Sequence, residues 1–478
     1  MVLNYVDIMP SVPQNIDPNK IFLVNFSELE GRWDPTIFQN QFRFISKQYT
    51  NRKLSSVALI DPKVSFSKLK DDDDISFIPM NIVNEDDGTI KESLYKKVLE
   101  TKGFTRFQDG DLIWAKITPC MQNGKSAVVR KLRNGYGCGS TEFFVIRPKD
   151  DTLLIDYVYI LLRDNRILQT ATNYFGGSAG QQRVSKTFLE NLTIPVPPLH
   201  IQQKIVNDYN AALSQRKKKL SESKAKLASI DQYLLGELGI TLPEDSHEKT
   251  FIVNYKDVDG GRLDPYSHKP YFSSSFENIK RKYELFSIKQ ISSLITSGIT
   301  PLSGSDAYTN REEGVAFVRS GDIDINGNID FDNLLYIKHN IHNTIMKSSQ
   351  VQKNDIMIAI VGATIGRIGI YYSNQPANIN QAIALVRLKE SFLPDYIKEV
   401  LQSSIGQLNL DKMKRPVARA NVNLDEIGQI ILPIPPLNKQ QELADHISAI
   451  RAEAKALEQE ANTILEQAKK KVEEMILG

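Results

Sequence analysis

IPVPPLHIQQKIV, residues Ile194 to Val206, returns as LPIPPLNKQQELA, residues Leu432 to Ala444, so that Pro197, Pro198 and Leu199 fall on Pro435, Pro436 and Leu437 at an offset of 238. Upstream the agreement continues in order. STEFFVIRP (Ser140 to Pro148) lies over NQAIALVRL (Asn380 to Leu388), and ISFIPMNI (Ile75 to Ile82) over VAFVRSGD (Val315 to Asp322), both at 240. GDLIWAKI (Gly110 to Ile117) lies over NDIMIAIV (Asn354 to Val361) at 244, and GRWDP (Gly31 to Pro35) over GRLDP (Gly261 to Pro265) at 230. Ordered matches with slowly drifting offsets are what duplication followed by small insertions leaves. The period is too long for a solenoid, whose repeats run ~20 to 50 residues, and implies two copies of a whole domain with its connector.

Each copy opens with short apolar or alternating runs bounded by Gly, Asp and Asn. These are SFIPMNIV, DLIWAKI, AVVRKL and EFFVIRP in the first, and AFVRSGDI, DIMIAIV, IGIYY and AIALVRL in the second. They read as strands. A helical stretch follows, DTLLIDYVYILLRDN (Asp151 to Asn165) and LPDYIKEVLQSSIGQ (Leu393 to Gln407), giving an α+β domain. After each PPL the pattern turns helical for some forty residues, with Pro198 and Pro436 at or before the first turn. Leu213, Leu220, Leu227 and Leu234 recur every seven residues in the first helix; Ile447, Ile450, Leu457 and Ile464 belong to a three-four seam in the second, where Lys471 is the polar intrusion. Residues 199–236 carry seven basic and three acidic side chains, and 437–476 carry six and eight, which favours the two helices lying together; since one leads from the first copy into the second and the other leaves the second, an antiparallel pair is expected. At 1.5 Å per residue, ~40 residues make a rod of roughly 60 Å. RKKK, Arg216 to Lys219, is expected on its solvated face.

The 478 residues, 59 basic and 57 acidic, give a formal charge of +2, so a nucleic-acid partner would have to be held by local patches. Cys120 and Cys138 are too few for a disulfide framework, and six scattered histidines show no metal-ligand spacing. The start of the sequence lacks the pattern of a signal peptide. The longest apolar run, IMIAIVGATIGRIGIYY, is interrupted by Gly362, Gly366, Arg367 and Gly369 and reads as two strands and a turn, not a membrane span. A reducing cytoplasm is expected.

Two loops and one turn carry the candidate chemistry. YFGGSAGQQRVS (Tyr174 to Ser185) offers Gln181, Gln182 and Arg183; KMKRPVARANVN (Lys412 to Asn423), at offset 238, offers Lys412, Lys414, Arg415 and Arg419 with no acid among them. Arg and Lys hold phosphates or guanine edges and Gln can bond adenine, so the pair has the composition of a DNA reader, although solvated surface loops would carry the same charges. The GKS of TPCMQNGKSAVV lacks the first glycine of a phosphate loop, and Pro119 stands five residues before Gly124. Its counterpart is ATIGRIGIYY, where Arg367 replaces Lys125 and Ile368 replaces the serine. Both read as a β-turn carrying one exposed positive charge; Arg319, on VAFVRSGD, is a further candidate.

The ordered signatures GDLIWAKITP, GKSAVV, STEFFVIRP and NLTIPVPPLHIQQKIV, repeated as FVRSGDI, NDIMIAIVGATIGRIGIYY, NQAIALVRL and ILPIPPLNKQQELADHI, resemble the specificity (S, HsdS) subunit of type I restriction-modification systems. The resemblance implies two target recognition domains joined by two long antiparallel coiled-coil helices, a pseudo-twofold internal repeat. It divides the chain into a leader and first recognition domain (1–196), a central helix (197–238), a second recognition domain (239–434) and a last helix (435–478). It also implies a bipartite double-stranded DNA target and two adenine methyltransferase (M) subunits using S-adenosylmethionine, and it allows ATP- and Mg-dependent restriction (R) subunits. No cofactor or metal is expected on this chain, and no membrane. PDYIK (Pro394 to Lys398) imitates a nuclease fragment but falls in an expected helix. A stand-alone NTPase or nuclease, and a coiled-coil adaptor that does not bind DNA, are the competing classes; a methylation-only or type IIG-like system is a related variant.

Overall fold

A computed structural model of the chain describes residues 42, 44–177, 181–245, 250–255, 264–279, 282–414 and 421–477. The chain divides into two compact units, Met1–Lys219 with Gln459–Gly478, and Leu220–Glu458. The first unit holds an antiparallel sheet in the order Ala58–Ile60, Phe143–Pro148, Leu112–Ala115, Ser126–Val128. A second sheet runs Leu94–Lys97, Asp74–Ile78, Tyr136–Gly139, Thr105–Gln108, its middle pair parallel. The other unit repeats the first sheet as Ser292–Ser297, Ile383–Leu388, Ile356–Ala359, Ile368–Ile370. Its second sheet runs Tyr308–Thr309, Leu335–Lys338, Gly314–Val318, Ala377–Ile379, Gln350–Val351, and again has one parallel pair, the third and fourth strands. The duplication inferred from sequence is a duplication of topology.

The sheets explain why LIWA and IMIA are apolar throughout. Alternate residues of a strand face opposite ways. Leu112 and Trp114 enter a core shared with helices, while Ile113 and Ala115 enter a core lined by Ile78, Phe107 and Phe143. Ile356 and Ile358 likewise face a different core from Met357. A strand buried on both faces has no place for a polar side chain.

Buried polar groups repeat with the same fidelity. Asp111, with no exposed side-chain surface, takes Nε and Nη2 of Arg147 at 2.6 and 2.8 Å and the backbone N–H of Gln108 at 2.8 Å. Asp355 takes Arg387 at 2.8 and 2.7 Å and the N–H of Gln352 at 2.7 Å. The Tyr157 hydroxyl donates to the Pro195 carbonyl and that of Tyr396 to Pro433, and burial raises both phenols far above their ordinary value. Within PPLxxQQ, the first glutamine is the buried one. Gln202 Nε2 donates to the carbonyls of Pro197 and Thr152 while Oε1 accepts from Leu154 N; Gln440 Nε2 donates to Pro435 and its Oε1 accepts from Leu393 N.

Two expected helices prove divided. Residues 151–165 contain Ile155–Leu161, with Asn165–Thr172 beginning at their end, and residues 393–407 break at Ser403 between Pro394–Gln402 and Ser404–Met413. The causes are local. Asp164 and Ser403 turn their side chains onto the N–H groups of Arg166 and Ile405, each capping a new helix where one continuous helix was expected. Strands also stop earlier than the apolar runs: Met80–Ile82 and Ser320–Asp322 are 3-10 turns, and the strand of AVVRKL ends at Val128.

The long helices span Leu199–Leu238 and Leu437–Leu477, each beginning directly after its second proline. They run antiparallel: Lys219 meets Glu460 at 2.7 Å, and one heptad on, Lys226 meets Glu453 at 2.5 Å. Leu213, Leu220 and Leu227 are half-buried and Leu234 fully buried; Ile447 is fully buried, and Ile450, Leu457 and Ile464 are half-buried. The alternate row holds Tyr209, Arg216, Ser223 and Ile230, with Ala454 and Ala461 buried on the second helix. RKKK is therefore not wholly a solvated face. Arg216 Nε is buried and Lys219 is paired, because the 3.6-residue turn brings two of four consecutive residues toward the partner helix. Lys471, the expected intrusion, meets Asp208 at 2.8 Å.

Arg387→Ala would strand a carboxylate that is 1% exposed, and should cost about 3–5 kcal/mol of stability in urea unfolding. Arg130→Ala, which breaks a pair whose arginine is half-exposed, should cost under about 1 kcal/mol. Ile447→Asp places a charge at a fully buried seam position and should disrupt the helix pair, read as loss of cooperative unfolding.

Candidate nucleic-acid interface

Both units bring the same three segments together at one end of the antiparallel sheet. In the first, Lys116 N donates to Glu142 O, Val184 N donates to Lys116 O, and Ile117 bridges Arg183. In the second, Ile360 N donates to Ala382 O, Val422 N donates to Ile360 O, and Val361 bridges Asn421. The outgoing end of each candidate loop is thus strapped to the end of the central strand, beside Glu142 of STEFFV or Ala382 of QAIALV. Backbone contacts fix the place, and the side chains standing there differ.

Arg183 lies across the Glu142 carboxylate, with Nε at 2.8 Å from Oε2 and Nη2 at 2.8 Å from Oε1, while Nη1 donates to the Gln181 carbonyl at 3.0 Å. The carboxylate raises the guanidinium pKa further, so its charge is permanent. Gln181 is exposed; Gln182 is half-buried and its carbonyl accepts from Thr118 N. Lys116 extends over the Phe144 ring at 5.1 Å. In the second unit Lys412 occupies the last turn of Ser404–Met413, with its ammonium 5.1 Å from the Phe276 ring and its pKa lowered by burial, and Lys414 meets Asp411 at 2.5 Å. Arg415 and Arg419 lie outside the described residues.

The exposed charge expected on the turns is corrected. The strands flanking them do pair, but Lys125 is half-buried, with Gly124 and Gly366 in left-handed backbone that glycine tolerates. Arg367 is half-buried too, its Nη1 donating to the Ile323 carbonyl at 3.0 Å, and Arg319 is paired bidentately with Asp322 at 3.1 and 2.7 Å. These two arginines brace one segment, residues 319–323. The serine of GKS is buried and donates to Gly124 O. Sequence reasoning overlooked Glu142, Lys116 and Asp411. The acids lay outside the loops it considered, although Asp411 directly precedes Lys412. PDYIK is helical as expected, and its lysine and the adjoining Glu399 are buried at 3.1 Å from each other, with Arg451 closing on Glu399 at 2.7 Å.

The family model for the type I restriction modification DNA specificity domain matches residues 46–208 and 280–467, once over each copy. The chain belongs to this family. Among its relatives, the type I restriction enzyme EcoAI specificity subunit of Escherichia coli is 38% identical over 162 residues, covering 34% of this chain and 27% of the relative. The EcoEI specificity subunit of Escherichia coli is 34% identical over 205 residues, covering 42% and 34%. The matched stretches therefore span about a third of each of these relatives or less. A chain solved in a study of complex assembly and conformational transition of the type I R-M system superposes with a TM-score of 0.53 at 16% identity, covering 90% of this chain and 96% of that one. That likeness is one of fold, over nearly the whole chain. No helix among the described residues is long and apolar enough to cross a membrane.

Arg367→Met should cost about 1.5–3 kcal/mol, the range of a hydrogen bond from a charged donor, measured by urea unfolding of the whole chain.

Proposed function

We propose that the chain is the DNA sequence-recognition subunit of a type I restriction-modification complex, in which each unit reads one half of a bipartite double-stranded target. The observation that carries this reading is the repeated strap. One backbone arrangement presents a loop at the same sheet end twice, with Arg183 and Glu142 in one unit and Asn421 and Ala382 in the other. Family membership supports it, as do the names of the E. coli relatives. The cationic and amide residues Lys125, Gln181, Gln182, Arg183, Lys412, Lys414, Arg415 and Arg419 are proposed to meet the DNA, whereas Arg319 and Arg367 are proposed to act through the segment 319–323 that they brace.

In this reading the chain performs no chemistry itself. Two adenine methyltransferase subunits, carrying S-adenosylmethionine, are held by the long helices, and restriction subunits supply ATP- and Mg-dependent cleavage in the cytoplasm. The gap between the half-sites is proposed to be set by the two long helices, Leu199–Leu238 and Leu437–Leu477.

Co-expression with a cognate adenine methyltransferase subunit, followed by sequencing of methylated adenines, should return a split motif with a fixed gap. A single continuous site, or no methylation, would favour the adaptor reading. Duplex affinity of that complex should fall linearly on a log–log scale with salt, by ~0.9 per phosphate contact. Lys414→Ala with Arg415→Ala should lower that slope by about 1–2, measured by fluorescence anisotropy.

A further inference from the structure

We infer that Arg183, held by Glu142, reads a guanine in the half-site of the first unit, and that the equivalent pair Asn421 and Ala382 makes the second unit read a different base pair at the corresponding position. The inference rests on the DNA-recognition reading above. A guanidinium has five N–H donors. Glu142 engages Nε and one N–H of Nη2, and the Gln181 carbonyl engages one N–H of Nη1. Among the described residues one donor is left on each terminal nitrogen, on a side chain that is 42% exposed, and we take these two as a fork. Such a fork matches O6 and N7 of guanine in the major groove.

The pair does two further things for recognition. Glu142 fixes the guanidinium plane before DNA arrives, so less rotamer freedom is lost on binding. Its negative charge also repels an anionic phosphate more than the neutral edge of a base, which disfavours the use of Arg183 as a simple phosphate clamp. A pure tether for the loop is the competing role, yet the second unit straps its loop by the same backbone bonds with Ala382 and Asn421 in these places. The ion pair is therefore not required for the strap, and its presence in one unit alone is what a half-site-specific device would show.

The test is methylation sequencing of the intact complex with wild-type chain, Arg183→Gln, Glu142→Gln, and the graft Ala382→Glu with Asn421→Arg. Arg183→Gln should relax the preference for one G·C pair in one half-site by about tenfold or more, leaving the other half-site unchanged. Glu142→Gln should relax the same position less, and 7-deazaguanine there should slow wild-type methylation but not that of Arg183→Gln. The graft should create a guanine preference in the other half-site. Uniform loss of methylation with the motif unchanged in the loss variants, together with a graft that leaves its half-site unaltered, would assign Arg183 to tethering and overturn the inference while the two-reader function stood. A wild-type complex with no split motif would overturn both.

Discussion

Gln202 fixes where the first long helix leaves its domain, and much of the rest depends on that fixation. A helix start leaves N–H groups unsatisfied and the preceding prolines donate none, so the chain before the helix must be held by its carbonyls. The buried amide does this from inside, bonding Pro197 O and Thr152 O on one side and Leu154 N on the other. It joins the helix start, the PPL segment and the helix after the sheet in one node. Gln440 makes the same node with Pro435 and Leu393. Leucine could fill the space but would leave the buried Pro197 carbonyl without a partner, a deficit of about 1–3 kcal/mol.

From that node the fixed parts extend inward. Tyr157 and Tyr396 tie the same helices to Pro195 and Pro433, two residues before each first proline of the PPL. The Arg147–Asp111 and Arg387–Asp355 pairs lock the central strand to its neighbour at the end of the sheet opposite the straps. Each carboxylate is buried, so either arginine alone is costly to lose, and each pair holds the turn that precedes its strand through the N–H of Gln108 or Gln352. The free end of the sheet, where Lys116 and Ile360 stand, is then the place at which side chains can change without disturbing a core.

What could be read from sequence follows this division. The repeat, the doubly buried strands and the long helices were legible because burial imposes composition along a contiguous stretch: LIWA and IMIA, or the leucines from Leu213 to Leu234. The breaks at Asp164 and Ser403 were not, since each depends on one side chain turning back onto a backbone N–H within a segment whose periodicity continues through it. The candidate site was legible only by half. Its loops could be placed by their offset, but the partners of their charges, Glu142 for Arg183 and Asp411 for Lys414, come from outside the loop considered. Arg367 shows the same limit from the other side, as a cation after a turn glycine looks exposed until the carbonyl of Ile323 is brought to it.

Duplication explains why a molecule whose two sheet ends carry different side chains can keep one scaffold. A change at Glu142 or Arg183 alters charge at a sheet end whose geometry is maintained by main-chain bonds, as the alanine and asparagine at the matching positions demonstrate. A change at Gln202, Tyr157 or Asp111 removes a partner from buried groups and propagates into the helix start or the central strand. The two copies have therefore diverged where water is near and agree where it is excluded. The helices show the same logic with charge: Lys219–Glu460 and Lys226–Glu453 set the register at the surface, while Ala454 and Ala461 let the backbones approach beneath. Within each unit, close approach and an ion pair thus fix one register of the two helices, the apolar contact beneath and the charge at its rim.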